Sequence, residues 1–234
     1  MKIAGLQKMT LLDYPGKVAC TVFLQGCNFR CPFCHNSDLL GAGEEAFMTA
    51  DQLIGFLEKR TGLLDAVCVS GGEPTLSPEL PDLLRRIKGL GYLVKLDTNG
   101  SRPQVVKALA AEGLIDYVAM DIKNSPAGYG PTVGLEHPQM EDIEESIRFL
   151  ASGVVDHEFR TTVVKELHSE ESIQDMGAWL VSLIPGDQAK KWFLQPFVDR
   201  DSVLFAGLNR PEDELMEKFV ERLRPFAEVI AVRG

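Results

Sequence analysis

A chain of 234 residues, 45% hydrophobic and 25% charged, is long enough for one α/β domain with a well-formed core. Its net charge of −10 argues against a nucleic-acid-binding face, which would need a basic stripe, though not against a local basic pocket for a phosphate or carboxylate. No apolar run spans a bilayer, Met1–Gly5 lacks the apolar core of a signal peptide, and five cysteines, three of them clustered, do not suit a disulfide framework; the expected compartment is a reducing cytoplasm.

In chain order, Ile3 to Lys17 reads as a short β-ribbon with a Pro15-Gly16 turn. Val18 to Leu24 reads as the first buried strand, and the cysteine-bearing stretch Gly26 to Asn36 follows it. After a Gly41-Ala42-Gly43 connection, Thr49 and Gln52 form a capping box for a helix whose apolar face is Leu53, Ile54 and Leu57. Ala66–Val69 is a strand running into Ser70-Gly-Gly-Glu-Pro-Thr75, a pattern of buried parallel strand and glycine-rich loop. Helices are expected over Pro81–Leu90, Arg102–Glu112, Met140–Ala151, Ser169–Ile184 and Pro211–Leu223, the last with its proline in the first turn. Strands are expected over Tyr92–Leu96, Tyr117–Met120, His157–Val164, Lys191–Gln195 and Ala227–Val232. Ser125–His137, dense in glycine and proline, reads as a mobile loop. Strand-helix units repeated about six times imply a parallel sheet with helices outside. Eight units would close a full barrel of typically about 250 residues, so six suit this length better. No repeat, low-complexity tract or linker divides the chain, and one domain over 1–234 is expected.

Cys27, Cys31 and Cys34 stand at C-x3-C-x2-C spacing. Zinc takes four ligands, usually with cysteines in two separated pairs, whereas a [4Fe–4S] cluster is usually held by four cysteines, one per iron. Three thiols in one loop with no matching fourth leave one iron open, as catalysis needs. A zinc loop or a buried cysteine group is the alternative reading. With Phe33 in the aromatic position, the loop resembles the radical S-adenosylmethionine (SAM) superfamily, whose signature is C-x3-C-x-aromatic-C. The resemblance implies that the open iron chelates the amino and carboxylate groups of SAM, and that reductive cleavage yields a 5′-deoxyadenosyl radical that abstracts hydrogen. It also implies a partial (β/α)6 TIM-like barrel, the radical SAM core, with a short N-terminal β extension.

Four polar loops fall at strand carboxyl ends, where barrel chemistry gathers: the cysteine loop, Ser70–Pro74, Asp97–Gly100 and Asp121–Lys123. Gly71-Gly72-Glu73-Pro74 is by itself a possible turn; its glycines would let backbone approach a ligand. The resemblance assigns it to the SAM amino group. Leu96-Asp97-Thr98-Asn99-Gly100 resembles a stretch of pyruvate formate-lyase activating enzyme and its relatives, where the aspartate and threonine help to bind SAM and a monovalent cation. Asp121 is implied in that cation site, and Lys123 in contact with the substrate or the methionine carboxylate. Strand-terminal Asp and Asn residues, Asn99 among them, also commonly cap the next helix. Arg160 lies on a strand otherwise rich in β-formers and needs a partner; related activators use an arginine there on SAM, and a surface salt bridge is the alternative. One departure is Val198, where pyruvate formate-lyase activators carry a histidine after the Pro-aromatic pair; this argues against pyruvate formate-lyase as the partner. His35-Asn36 reads as loop architecture, the other histidines carry no signal, and Cys20 and Cys68 read as buried packing residues.

The resemblance is closest to activating proteins of anaerobic ribonucleoside-triphosphate reductase, through Leu12 to Asn36. It implies an activase that places a radical on a glycine of a partner enzyme, with an electron donor such as flavodoxin or ferredoxin. A radical SAM enzyme for a small molecule is the first rival. A redox-sensing iron–sulfur module is the second, against which the Gly-Gly-Glu-Pro and Asp-Thr-Asn stretches speak.

Overall fold

The computed structural model describes residues 1–41 and 46–233; Ala42 and Gly43 of the glycine-rich connection lie outside the described residues. The fold is α/β, and strand order follows chain order. The chain forms two compact units, 1–28, 38–98 and 104–119 in the first and 29–37, 99–103 and 120–234 in the second.

The first unit opens with β1 (Ile3–Thr10), antiparallel to β2 (Ala19–Leu24), which pairs in parallel with β3 (Ala66–Gly71), itself parallel to β4 (Leu93–Thr98). The ribbon expected at the amino end is therefore real, and the parallel strands follow. All of β2 but Phe23, and all of β3 but its last two residues, Ser70 and Gly71, are buried, as the unbroken apolar runs require of strands covered on both faces. Helix α1 (Ala50–Glu58) starts where its capping box demands. Gln52 N–H donates to Thr49 Oγ1 at 3.2 Å, and Thr49 N–H donates to Gln52 Oε1 at 2.8 Å. Helix α2 (Leu80–Gly89) buries Leu80, Leu83, Leu84 and Ile87, one helical stripe. Helix α3 (Pro103–Ala111) then leads to β5 (Tyr117–Asp121), whose last two residues belong to the second unit.

The second unit holds helices α4 (Pro126–Val133), α5 (Met140–Ala151), α6 (Glu170–Leu183) and α7 (Asp213–Leu223), with parallel strands β6 (Asp156–Val163), β7 (Ala189–Pro196) and β8 (Ala227–Val232). Phe159, Trp192, Leu194, Phe197 and Phe219 are buried there. The Trp192 indole donates to Thr161 Oγ1 at 3.0 Å, and that hydroxyl donates to the Ile122 carbonyl at 2.8 Å, so a polar thread in the core is satisfied.

Two expectations are corrected. The stretch read as a loop over Ser125–His137 contains α4. Pro126 occupies the first helical turn, where a missing N–H is harmless, and Gly134 ends the helix in the left-handed region at φ 68°. Composition misled because two of its glycines serve packing: a Cβ on Gly128 would press on the Asn124 side chain, and one on Gly130 on the Leu135 carbonyl. Helix α7 begins at Asp213 rather than Pro211, with Glu212 as its N-cap. No helix among the described residues is long and apolar enough to cross a membrane.

Candidate functional site

In the first unit, the ends of β2, β3 and β4 are tied together by backbone and short side chains. Gly72 N–H donates to the Leu24 carbonyl at 2.9 Å, and Glu73 N–H to the Gly26 carbonyl at 2.8 Å. A Cβ on Gly72 would run into the Gly26 carbonyl and lie 3.2 Å from Cys27 Cβ; one on Gly71, at φ 123°, would run into the Leu24 backbone. The two glycines are thus needed for a close approach, as the sequence suggests, but the backbone that approaches is the chain's own cysteine loop. Glu73 is only 1% exposed, and its Oε1 accepts from Thr75 N–H at 3.1 Å, Thr75 Oγ1–H at 2.5 Å and Thr98 Oγ1–H at 2.9 Å. The carboxylate therefore clamps the turn that begins at Pro74 to the end of β4. Asp97 forms an ion pair with Lys95.

Lys95, 1% exposed, is a residue the sequence reading passed over. It stands beside Cys68 in the β3–β4 register, and Cys68 beside Thr21; Thr21 Oγ1–H in turn donates to Asp13 at 2.5 Å. A lysine two positions before an aspartate in a strand lies on the same face as it, and that spacing was the available signal. Burial pushes the thiols of Cys20 and Cys68 up to about 12, with Lys95 pulling Cys68 weakly the other way. Protonated, enclosed thiols are poor metal ligands, which agrees with their packing role.

In the second unit, Asp121 at the end of β5 is held from two sides, by Lys123 Nζ at 2.9 Å and by Arg160 Nε at 2.9 Å. Burial works against its charge, but Arg160 and Lys123 outweigh it and hold the carboxyl at about 2. Burial alone would lower Lys123; Asp121, then Cys31, keep its ammonium above the ordinary lysine range. Arg160 is therefore neither isolated nor a surface pair. The Lys123 ammonium lies 6.0 Å from the centroid of the buried Phe33 ring, at the limit of a cation–π contact. His168, another residue without a sequence signal, stands behind this group. Its Nε2–H donates to the Lys123 carbonyl at 2.9 Å while Nδ1 accepts from Val164 N–H at 3.1 Å. Burial lowers its pKa, so it is the neutral tautomer that fits both partners.

Around the cysteines of this unit, His35 stacks on Phe197 with centroids 5.4 Å apart and donates to the Val198 carbonyl at 2.6 Å. This is the architectural role expected of it, and the position of the missing histidine contributes a main-chain acceptor. Cys34 N–H donates to the Cys31 carbonyl at 3.1 Å. Asn99 Oδ1 accepts from Ser101 N–H at 3.0 Å, an Asx turn.

Cys27 belongs to the first unit, Cys31 and Cys34 to the second. None of the three is in a disulfide, and Cys31 is buried while the others are half-buried. Among the described residues, no three His, Cys, Asp or Glu side chains stand together as a preformed metal site. The chemistry of the donor set nonetheless fits an iron–sulfur cluster: reduced sulfur ligands at one loop, with the Lys123 ammonium within electrostatic reach of Cys31.

The sequence profile of the radical SAM superfamily matches residues 21–171, and the chain belongs to that superfamily. The family implies a [4Fe–4S] cluster and SAM. Within it, the chain is 34% identical over 178 residues to a Methanocaldococcus jannaschii protein provisionally named a glycyl-radical enzyme activating enzyme, covering 74% of this chain and 73% of that protein. It is 28% identical over 203 residues to 7-carboxy-7-deazaguanine synthase of Aquifex aeolicus, covering 86% and 79%. The crystal structure of a domain of pyruvate-formate lyase-activating enzyme from Bacteroides vulgatus matches with a TM-score of 0.57 at 22% identity, over 72% of this chain and 99% of that one; this likeness concerns the fold.

Proposed function

We propose that the chain is a glycyl-radical activase, with Cys27, Cys31 and Cys34 as ligands of a [4Fe–4S] cluster and a glycine of anaerobic ribonucleoside-triphosphate reductase as the site of hydrogen abstraction. The observation that carries this reading is the 34% identity to the provisionally named activating enzyme over nearly three quarters of both chains. The cluster and SAM, when bound, would supply one-electron reductive cleavage of SAM to methionine, with the electron from a donor of the flavodoxin or ferredoxin kind and the hydrogen atom that completes 5′-deoxyadenosine taken from the partner's glycine.

The chain's own residues bind and orient. Gly71, Gly72 and Pro74 present main chain to the SAM amino group, and Glu73 shapes that loop through Thr75 and Thr98 rather than reaching outward. Lys123 and Arg160 offer positive charge to a carboxylate, Asp121 orients both, and Phe33 packs beneath Lys123. Asp97, Thr98 and Asn99 complete the ligand-facing strand end. A monovalent cation is not needed in this reading: Lys95 on Asp97, and Lys123 with Arg160 on Asp121, already balance the carboxylates.

The test is anaerobic electron paramagnetic resonance of reduced protein, SAM and candidate glycyl radical enzymes. A carbon-centred doublet on the partner, with 5′-deoxyadenosine formed alongside it and the doublet lost when the partner's glycine becomes alanine, is expected. The similarity to a deazaguanine synthase favours a second reading, a radical SAM enzyme for a small molecule. Silence with every glycyl radical candidate, while a metabolite stimulates 5′-deoxyadenosine formation and is itself altered, would establish that second reading instead.

A further inference from the structure

Tyr129 of α4 is fully buried, and its hydroxyl has no hydrogen-bond partner among the described residues. A phenol both donates and accepts, and a buried one ordinarily finds a partner. The side chain is closed off from solvent, and its ring packs edge-on against Trp179 with centroids 6.1 Å apart and planes at 71°. The Lys123 amide lies near the hydroxyl without forming a bond of acceptable geometry. An N–H can only donate to the phenol oxygen, so the phenol's own proton would still lack an acceptor.

The surroundings narrow what that acceptor can be. Lys123, Cys31 and Asp121 are the charged and titratable groups whose fields act on the hydroxyl. An ammonium has no lone pair to offer. Asp121 already receives Lys123 on one oxygen and Arg160 on the other. No bond from the phenol reaches Asp121 or the Cys31 sulfur itself, so the acceptor has to be supplied by sulfur that a cluster would add at Cys31. The helix is also docked on the cysteine loop immediately before that residue: Arg30 N–H donates to the Val133 carbonyl at 2.8 Å, and a Cβ on Gly134 would run into the Arg30 carbonyl. The hydroxyl is thus held at a fixed place relative to Cys31, with its proton uncommitted.

We infer that Tyr129 donates a hydrogen bond to a cluster sulfide adjoining Cys31 once the [4Fe–4S] cluster is in place. This rests on the reading of Cys31 as a cluster ligand. Tyr129 is then a positioning and tuning residue, since hydrogen bonds to cluster sulfur withdraw electron density and ease reduction. SAM cleavage needs the reduced cluster, so the hydroxyl would favour the active redox state.

The test is Tyr129→Phe in the full chain, with the cluster reconstituted anaerobically. Iron per chain should equal that of the parent, while the midpoint potential falls, so that at fixed potential the ratio of reduced to oxidised cluster drops at least threefold; a tenfold drop corresponds to about 59 mV for one electron. In the parent, hyperfine spectroscopy of the reduced cluster in D2O should reveal an exchangeable proton that is missing in the variant. Before reconstitution, Tyr129→Phe should melt no lower than the parent, because it removes an unpartnered buried hydroxyl; after reconstitution that relation should reverse. Iron-replete variant protein with the parent's midpoint and the parent's exchangeable proton would overturn the inference alone. Parent protein that holds no iron through Cys27, Cys31 and Cys34 would overturn the reading beneath it.

Discussion

The end of β3 and β4 in the first unit and the end of β5 in the second are built by different means. At the first, glycine, threonine and one buried glutamate bring backbone against backbone, and the decisive quantity is space. At the second, Asp121, Lys123 and Arg160 hold one another by charge, with His168 fixing the main chain behind Lys123. A site of the first kind fails when an atom is added, and one of the second kind fails when a charge is removed.

The largest effect should come from the loop that contributes to both units. Cys27→Ala, Cys31→Ala or Cys34→Ala should each abolish iron loading and SAM cleavage while leaving far-ultraviolet circular dichroism unchanged, checked by iron assay and 5′-deoxyadenosine formation. Next in size, Gly72→Ala places a methyl group against the Gly26 carbonyl and beside Cys27. Since backbone must move, a loss of about 3 kcal/mol, the upper part of the usual overpacking range, is expected in denaturant unfolding, with poorer iron loading. Parent-like stability would show that this strand end has slack. Asp121→Asn removes the charge shared by Lys123 and Arg160 at nearly constant shape. Breaking a buried pair costs about 3–5 kcal/mol; the Asp121 side chain keeps 26% exposure, so about 2 kcal/mol is expected, together with weaker SAM binding by titration.

Acid should separate the two regions further. The Asp121 carboxyl is depressed from 3.8 to about 2, so the folded state binds this proton less readily than the unfolded chain. Its contribution is complete above pH 3.8 and disappears as pH falls through about 2. His168 is likewise depressed from 6.5; its contribution is complete above pH 6.5 and erodes as pH falls below that. Unfolding free energy should therefore decline from pH 7 to 5, and His168→Asn, which can offer a neutral donor and acceptor, should flatten that slope. The smallest effect concerns labelling: at pH 8, iodoacetamide should modify cysteines of the loop in the apo chain but leave Cys20 and Cys68 untouched until denaturant is added, as expected of enclosed thiols pushed to about 12. Rapid labelling of Cys68 in native protein would contradict the closed polar row beside Lys95.

Much was legible from the chain alone. A capping box located α1, residue pattern located α5 and β8, the unbroken apolar runs marked β2 and β3, and the spacing of Cys27, Cys31 and Cys34 pointed to the superfamily. These signals are local: a capping box lies within four residues, a strand's burial is written in its run of side chains, and a cysteine spacing is a count. Tertiary structure decided what required a distant partner. It made a helix of Pro126–Val133 within the stretch read as a loop, because Pro126 and Gly134 serve as its ends only when Tyr129 and Val133 have somewhere to be buried. It turned the Gly71-Gly72 requirement toward Leu24 and Gly26, turned Glu73 inward to Thr98, and gave Asp97 its lysine. It brought His168 behind Lys123 across a sequence separation of 45. A sequence states which groups are available, and only the packed chain determines which of them still have a proton or a charge to offer.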